Sequence, residues 1–417
     1  MNFTAYYEFL KEYVSFQTLQ DSVNFQAEAE KTIKRLGKVF LKNGFETQEY
    51  LINDIPLLVS KFVHNKNLPT GLIYTHYDML MPEISSEWKN NPFNLYLGKE
   101  EIIGKGVAEN KWPFCIYLTT ILELIKEDKL WYNVIFLVDG GQYRVGTSLT
   151  EFLQQHKEEL RSDFCFCSTD CGVGEEVTIE TWQRGGINFD LVLSDVGESS
   201  QNTILEMSKL LAKCYTFNNA IAIPYFYYNV EKPQKTAEVK RYGTNLEYRT
   251  ITKSTKPDYT ILDPTLEITG IISLPTFEKS TLAPRKTIAN LQLSIVNNQT
   301  ANEIIAGLHQ RLKLVVPKDL KTELIIHEAF NPSKFSLNNF YTQKALTLLK
   351  KLFNQSPEKK QKERWIKMLE SLQTTICSTV IALPMAQSTD HLWEANECLK
   401  NEWIAMMADF LRHFFEK

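Results

Sequence analysis

GLIYTHYDMLMPEISSEWKNNPFNLYLGKEEIIGKGVAENKWPF, residues 71–114, is the stretch on which the fold turns. Its apolar run Leu72-Ile73-Tyr74 reads as a buried strand. His76 and Asp78 follow at the strand end, where alternation points both side chains to one face. Trp88, Pro92 and Phe93 occupy the loop beyond, and the turn Gly104-Lys105-Gly106 delivers Glu109 to the start of a helix. A histidine and two carboxylates carried by strand ends and loops suit zinc or manganese, because imidazole and carboxylate ligate both ions.

Outward from this stretch, residues 5–20 and 23–44 read as amphipathic helices, and strands are expected near 57–63 and 71–75. A helix over 112–126, a buried strand Val134 to Val138, a helix over 147–160 and a short strand Phe164 to Cys167 follow. Helices alternating with apolar strands predict an α/β layer with a mostly parallel sheet, its ligands at the strand C-termini. His76, the Asp139–Arg144 segment and Asp170 each fall just after such a strand.

From Ile187 the pattern changes. INFDLVLSD alternates, helices are expected over 203–214 and 301–314, and strands near 266–272 and 289–296. This order of elements points to a smaller α+β domain inserted into the first. Long helices, 340–354 and 396–415, return around a strand at 379–383. The expected division is 1–186 plus 331–417 for a discontinuous first domain and 187–330 for the insert.

The chain has 417 residues, 43% hydrophobic and 23% charged, which fits a globular protein of more than one domain. A formal net charge of −4, with no basic cluster among aromatics, argues against nucleic acid as a partner. No apolar run reaches the roughly 18 residues of a membrane helix, and MNFTAYYEFLKEYV does not read as a signal peptide, so a cytoplasmic location is expected. Seven cysteines, an odd number without a repeat, agree with a reducing compartment. Cys165, Cys167 and Cys171 lie close together, but an apolar strand burying free thiols explains the first two better than a thiolate site.

The order HYD, W…NPF and GKGVAENKWP resembles the co-catalytic zinc metallopeptidases that include carnosinase, aminoacylase and the bacterial dipeptidases. That family carries a His-x-Asp after a strand, a W…PF loop and a GRG…DDKG turn. DPTLEITGI (263–271) and APRKTIANLQLSIVNNQ (283–299) look like segments of its ferredoxin-like lid, TWQRGG (181–186) like the crossing into it, and IAIPYFYYNV (221–230) like a segment of its dipeptidase branch. The resemblance implies a catalytic α/β domain interrupted by a lid that carries a homodimer interface. It also implies two bridged metal ions and a glutamate general base, the ions lowering the pKa of water and polarising an amide carbonyl.

Carried over position by position, His76 matches the first metal's histidine and Asp78 the carboxylate that orients it. Glu109 stands where the family bridges its ions with the shorter Asp, and Asp170 matches the remaining carboxylate of the first metal. The family's two adjacent glutamates, base and ligand, fall in DGGQYRVG, on Gln142-Tyr143 or on Tyr143-Arg144. Neither pair holds a carboxylate; Gln142 is the position of the lost base in the first register. Asp139 is the nearest acid, and Glu175 and Glu176 read as a solvated loop. The last metal histidine would precede Asn396-Glu397 by three residues, where Trp393 stands; His391 is the candidate if the loop is longer. The lid histidine is missing from SDVGESSQ (194–201), Ser294 replaces a lid arginine, and ERWIKMLES (363–371) replaces a glycine-rich turn that holds a substrate carboxylate. Ser294 and Asn396 remain as candidate substrate-binding positions.

Three functions are compatible with this pattern. One is a catalytically impaired relative that binds a peptide, an N-acylated amino acid or a protein partner. Another is an amide hydrolase using a single zinc or manganese ion at His76, Glu109 and Asp170. The last is a metal-free scaffold whose lid mediates assembly.

Overall fold

The computed structural model describes residues 2–80, 87–144, 149–171, 176–196, 202–218, 220–230, 264–273, 284–317, 319–362, 366 and 368–417, with the side chains of 170, 171 and 360–362 left out of the description. The chain forms two compact units, one containing Met1–Trp182, Ser333–Lys362 and Ile366–Lys417 and the other Gln183–Pro332.

The first unit opens with helices α1 (Phe3–Val14) and α2 (Phe25–Lys42), then strands β1 (Glu46–Ile52), β2 (Ile55–Phe62) and β3 (Thr70–His76). Helix α3 (Trp112–Lys126), strand β4 (Asn133–Asp139), the short helices α4 (Thr150–Gln155) and α5 (Lys157–Leu160) and strand β5 (Phe164–Cys171) follow. The second unit supplies β6 (Gly185–Asp195), α6 (Thr203–Ala212), β7 (Thr265–Ser273), β8 (Lys286–Ile295), α7 (Ala301–Val315) and β9 (Leu320–Phe330). The chain returns through α8 (Phe340–Phe353), α9 (Met368–Ser371), β10 (Val380–Ala386) and α10 (Asn401–Phe415).

The first unit's main sheet has the order β1-β2-β4-β3-β5-β10. β4, β3, β5 and β10 run parallel, whereas β1 and β2 form an antiparallel edge hairpin. The parallel centre is buried on both faces, which is why its strands read as continuous apolar runs. Ile73, Phe136, Phe166 and Ile381 face a layer with Leu10, Phe40, Phe114 and Phe414 of the long helices. Their sequence neighbours Tyr74, Leu137, Cys165 and Ala382 face a second layer with Phe152, Leu153, Leu160 and Leu372. Cys165 and Cys167 are therefore core thiols, and burial pushes the Cys165 thiol well above the usual cysteine value.

Several elements differ from the sequence expectation for identifiable reasons. Strand β1 (ETQEYLI) is polar enough to hide, but the two-residue turn Asn53-Asp54, both residues at positive φ, closes it onto β2. Helix α1 stops at Val14, short of residue 20, and the Lys111 ammonium takes the carbonyls of Tyr13, Val14 and Phe16. The expected helix over 147–160 breaks at His156, and α10 begins at Asn401 because Cys398–Lys400 pairs as a strand with Glu101–Ile103.

In the second unit the four strands are antiparallel in the order β7-β8-β6-β9. Met207, Leu211, Ile304 and Leu308 of α6 and α7 pack on Ile187, Phe189, Leu191 and Leu293. Amides alternate with these apolar positions: Asn290 donates to Asp190, and Gln292 donates to Asn188.

Candidate metal centre

Strand β3 ends at His76 beside Asp139 of β4, at the C-terminal edge of the parallel sheet. Two residues on, the fully buried Asp78 carboxylate lies 3.1 Å from His76 Nδ1 and accepts hydrogen bonds from Gln20 Nε2 (2.7 Å) and the Tyr143 amide (2.9 Å). Asn110 Nδ2 donates to the Asp78 carbonyl at 2.8 Å and fixes the other side of the turn. Burial alone would raise the Asp78 carboxyl, but the hydrogen bond and charge of His76, with the Tyr143 and Gln20 donors, hold it below its ordinary value. Burial would lower the His76 imidazole, but the hydrogen bond and charge of Asp78, with the charges of Glu109 and Asp139, together raise it.

The second wall is the turn 104–111. Gly106 has φ 74°, and an added Cβ would lie 2.5 Å from Met79 Sδ, so glycine is required on both counts. A single π-helical turn, Val107–Lys111, then leads into α3, a geometry often found where a helix presents a functional side chain. Its free backbone donors converge on Glu397: the amides of Gly106, Ala108 and Glu109 approach that carboxylate at 2.9, 2.8 and 3.0 Å. Lys105 Nζ stands 3.4 Å from Glu397 Oε2 and 3.8 Å from Glu109 Oε2, with the side chains of Lys105 and Glu397 wholly buried.

Glu109 Oε1 is taken by two protein donors. The Tyr143 hydroxyl hydrogen-bonds to it, and Trp393 Nε1 donates to it at 2.9 Å while lying 3.1 Å from the Tyr143 oxygen. Glu109 Oε2 has no hydrogen-bond partner among the described residues, and Lys105 is the cation that faces it. The Tyr143 ring meets His76 edge-on, with centroids 5.5 Å apart.

Trp393 reaches the centre because the loop after β10 is sharply folded: His391, Trp393 and Asn396 all have positive φ. The buried Asp390 carboxylate accepts from the Gln387 amide at 2.6 Å and anchors the loop's start. Those turns direct the Trp393 indole to Glu109, while His391 is exposed and pairs with Glu394 at 3.2 Å. On this loop Trp393, and not the candidate ligand His391, occupies the inward position beside Glu109. Asn396, expected to bind substrate, instead holds the backbone of another loop, donating to the Glu87 carbonyl (3.0 Å) and accepting from the Lys89 amide (2.9 Å).

Of the other candidates, Gln142 is buried with its Oε1 unpartnered among the described residues, and Tyr143, not Gln142, contacts Glu109. Asp139 is bound by the Tyr74 hydroxyl (3.1 Å) and the Gly141 amide (3.0 Å), and burial, then the charge of Asp78, push its carboxyl up to about 6. Ser294 sits half-buried on β8, paired with Thr265 and Gly186. The Asp170 side chain and residues 197–201 lie outside the described residues, as does Glu175. Lys105 and Gln20 were not singled out from the sequence; a lysine between two glycines in GKG was the available signal for the first.

The donor chemistry decides whether a pair of ions fits. An indole N–H can only donate, the phenol of Tyr143 spends its proton on Glu109, and an ammonium stands at the other carboxylate oxygen. Among the described residues no group of three or more His, Cys, Asp or Glu side chains could hold a metal ion. The two-ion centre implied by the resemblance does not fit these residues.

The fold and the order of its site residues are similar to those of the M20 metallopeptidases. It is 24% identical, over 98% of its length, to the probable di- and tripeptidase DUG2 of Saccharomyces cerevisiae, and it spans half the length of that relative. Human carnosine dipeptidase 1 shares the fold with a TM-score of 0.79 at 17% identity, covering 99% of this chain and 95% of that one. An M20 family metallo-carboxypeptidase of Sulfolobus solfataricus matches with a TM-score of 0.79 at 19% identity, covering 98% of each chain. No family model matches the sequence. No helix among the described residues is long and apolar enough to cross a membrane.

Proposed function

We propose that this chain is a peptidase-family protein that binds a peptide or an N-acylated amino acid, alone or within an assembly, without two-metal hydrolysis. The observation that carries the proposal is the occupation of Glu109 Oε1 by the Tyr143 hydroxyl and the Trp393 indole, where the family's chemistry needs a metal-bridging carboxylate. A general base is lacking at the same place, since Gly140, Gly141, Gln142 and Tyr143 carry no carboxylate and the Asp139 carboxylate is engaged by Tyr74 and Gly141. The predicted homodimer through residues 187–330 belongs to the same proposal, supported by the exposed Ile268, Ile271 and Ile272 on edge strand β7.

The test is to incubate the purified chain with zinc or manganese and then offer carnosine, a mixed dipeptide set, tripeptides and N-acylated amino acids. Mass spectrometry reads hydrolysis and calorimetry reads binding. Saturable binding without turnover is the expected result; metal-dependent turnover abolished by His76→Ala sinks the proposal. A second reading, hydrolysis at a single ion held by His76, Glu109 and Asp170, draws on the His76 Nδ1–Asp78 contact, which orients an imidazole as a ligating histidine is oriented. The same assay separates the two.

A further inference from the structure

The segment from His391 to Ala395 is a strap tied at both ends. At its start the Asp390 carboxylate accepts the Gln387 amide at 2.6 Å, and the Asp390 carbonyl accepts the Cys398 amide at 3.0 Å. At its end Asn396 holds Glu87 and Lys89, and Glu397 receives the amides of Gly106, Ala108 and Glu109. Between these ties the backbone is strained. His391 stands at φ 53° and Trp393 at φ 66°, a region that side chains with a Cβ avoid and a bulky ring most of all. The Trp393 ring is half-buried, its N–H on Glu109 Oε1 at 2.9 Å and 3.1 Å from the Tyr143 oxygen. That contact holds the strap in its strained form, and breaking it frees 391–395 to relax between ties that stay made.

The centre that the strap closes is short of donors. Glu109 and Gln142 are 6% and 7% exposed, and Glu109 Oε2 and Gln142 Oε1 have no hydrogen-bond partner among the described residues. Lys105 is one ammonium facing two carboxylates, Glu109 and Glu397, so this turn keeps one negative charge in excess, while His76 and Asp78 answer each other. What fits is a group that brings donors and a positive charge together. A primary ammonium has three donors and no acceptor, whereas an acyl carbonyl or a carboxylate adds only acceptors. The Trp393 N–H is a neutral, intramolecular version of the missing donor.

We propose that Trp393 is the gate of this centre, lifting off Glu109 to admit the free ammonium of an amine-bearing ligand, such as the amino end of a peptide. The proposal rests on the reading that the chain binds peptides, and it selects ligands with a free amino group over N-acylated ones. Because the closed strap competes with the ligand for Glu109 Oε1, weakening the closed state raises the apparent affinity.

Calorimetric titration of the full chain in chelator tests this, with a mixed dipeptide set carrying free amino ends and the same set N-acetylated. The free set should bind at least about tenfold more tightly than the acetylated one, and Glu109→Gln should erase most of that difference. Trp393→Phe keeps a ring and loses the N–H, so it should bind the free set about three- to tenfold more tightly than the wild type. An indole that only lined the pocket would give the opposite sign. If Trp393→Phe does not accumulate, hydroxyl-radical footprinting of the wild type reads the gate: the free set should speed oxidation of the Trp393 ring, and the acetylated set should not. Equal affinity for the two sets, a preference that survives Glu109→Gln, no tighter binding by Trp393→Phe, or Trp393 oxidation unchanged or slowed by the free set overturns the proposal and leaves the proposed function standing. Binding by neither set sinks that function and the gate with it, so the two failures are distinguishable.

Discussion

Replacing Tyr143 by Phe removes one oxygen and keeps the ring that meets His76 edge-on. The lost hydroxyl donates to the Glu109 carboxylate, and it is also 3.1 Å from the Trp393 indole nitrogen. A hydrogen bond to a charged group contributes about 1.5–3 kcal/mol, so Tyr143→Phe should destabilise the first unit by about 2 kcal/mol. Trp393→Phe removes the 2.9 Å indole donor and part of a half-buried ring, which costs about 2–4 kcal/mol. Because the two donors share one oxygen and touch each other, the double variant should cost about 0.5–1.5 kcal/mol less than the sum. Calorimetric unfolding of all four proteins in chelator gives the cycle, with Tyr143→Phe lowering its transition by about 4–8 °C. Two outcomes would refute the reasoning: a Tyr143→Phe protein within about 0.5 kcal/mol of wild type, or strictly additive costs. Either would mean that the triangle does not hold together in solution.

Three further outcomes are expected. Burial raises the Asp390 carboxyl to about 6, so its folded form prefers the proton; the stability it contributes is full below about pH 4 and is lost as pH rises through 6. Asp390→Asn, which keeps an acceptor for the Gln387 amide, should flatten denaturant-measured stability between pH 4 and 6 and raise it at pH 7 by about 2 kcal/mol; an unchanged slope would count against this assignment. Gly140→Ala places a Cβ 2.2 Å from the buried Tyr77 ring, whose hydroxyl donates to the Pro56 carbonyl, and should cost about 3 kcal/mol in equilibrium unfolding. Asn396→Gly keeps the left-handed backbone and loses only the tether to Glu87 and Lys89, so it should exceed Asn396→Ala in stability by about 1 kcal/mol while both speed amide exchange at Lys89.

The half of the centre that lies on one strand and one turn was legible in the sequence. His76 and Asp78 follow an apolar run of strand length, and the glycines of GKG announce the turn that presents Glu109. The other half was not, because it is made by long-range closure: Trp393 is 284 residues from Glu109, and Tyr143 is 34. Nothing in STDHLWEANE signals positive φ at His391 and Trp393, so spacing alone could not tell which of the two turns inward. The polar strand β1 was hidden for a related reason. Its hydrogen bonds, not its side chains, place it at the sheet edge, and the signal lay in the Asn53-Asp54 turn.

The cysteines of this fold also make a built-in clock for its opening. The described thiols, Cys115, Cys165, Cys167, Cys214, Cys377 and Cys398, are all free and buried, so an alkylating reagent labels each only when its surroundings part. Cys214 lies in the second unit, Cys115 on α3 in one core layer of the first, and Cys165 on β5 in the other layer. Peptide-resolved labelling rates would therefore time the opening of each layer and each unit separately, in the native sequence and without an added probe.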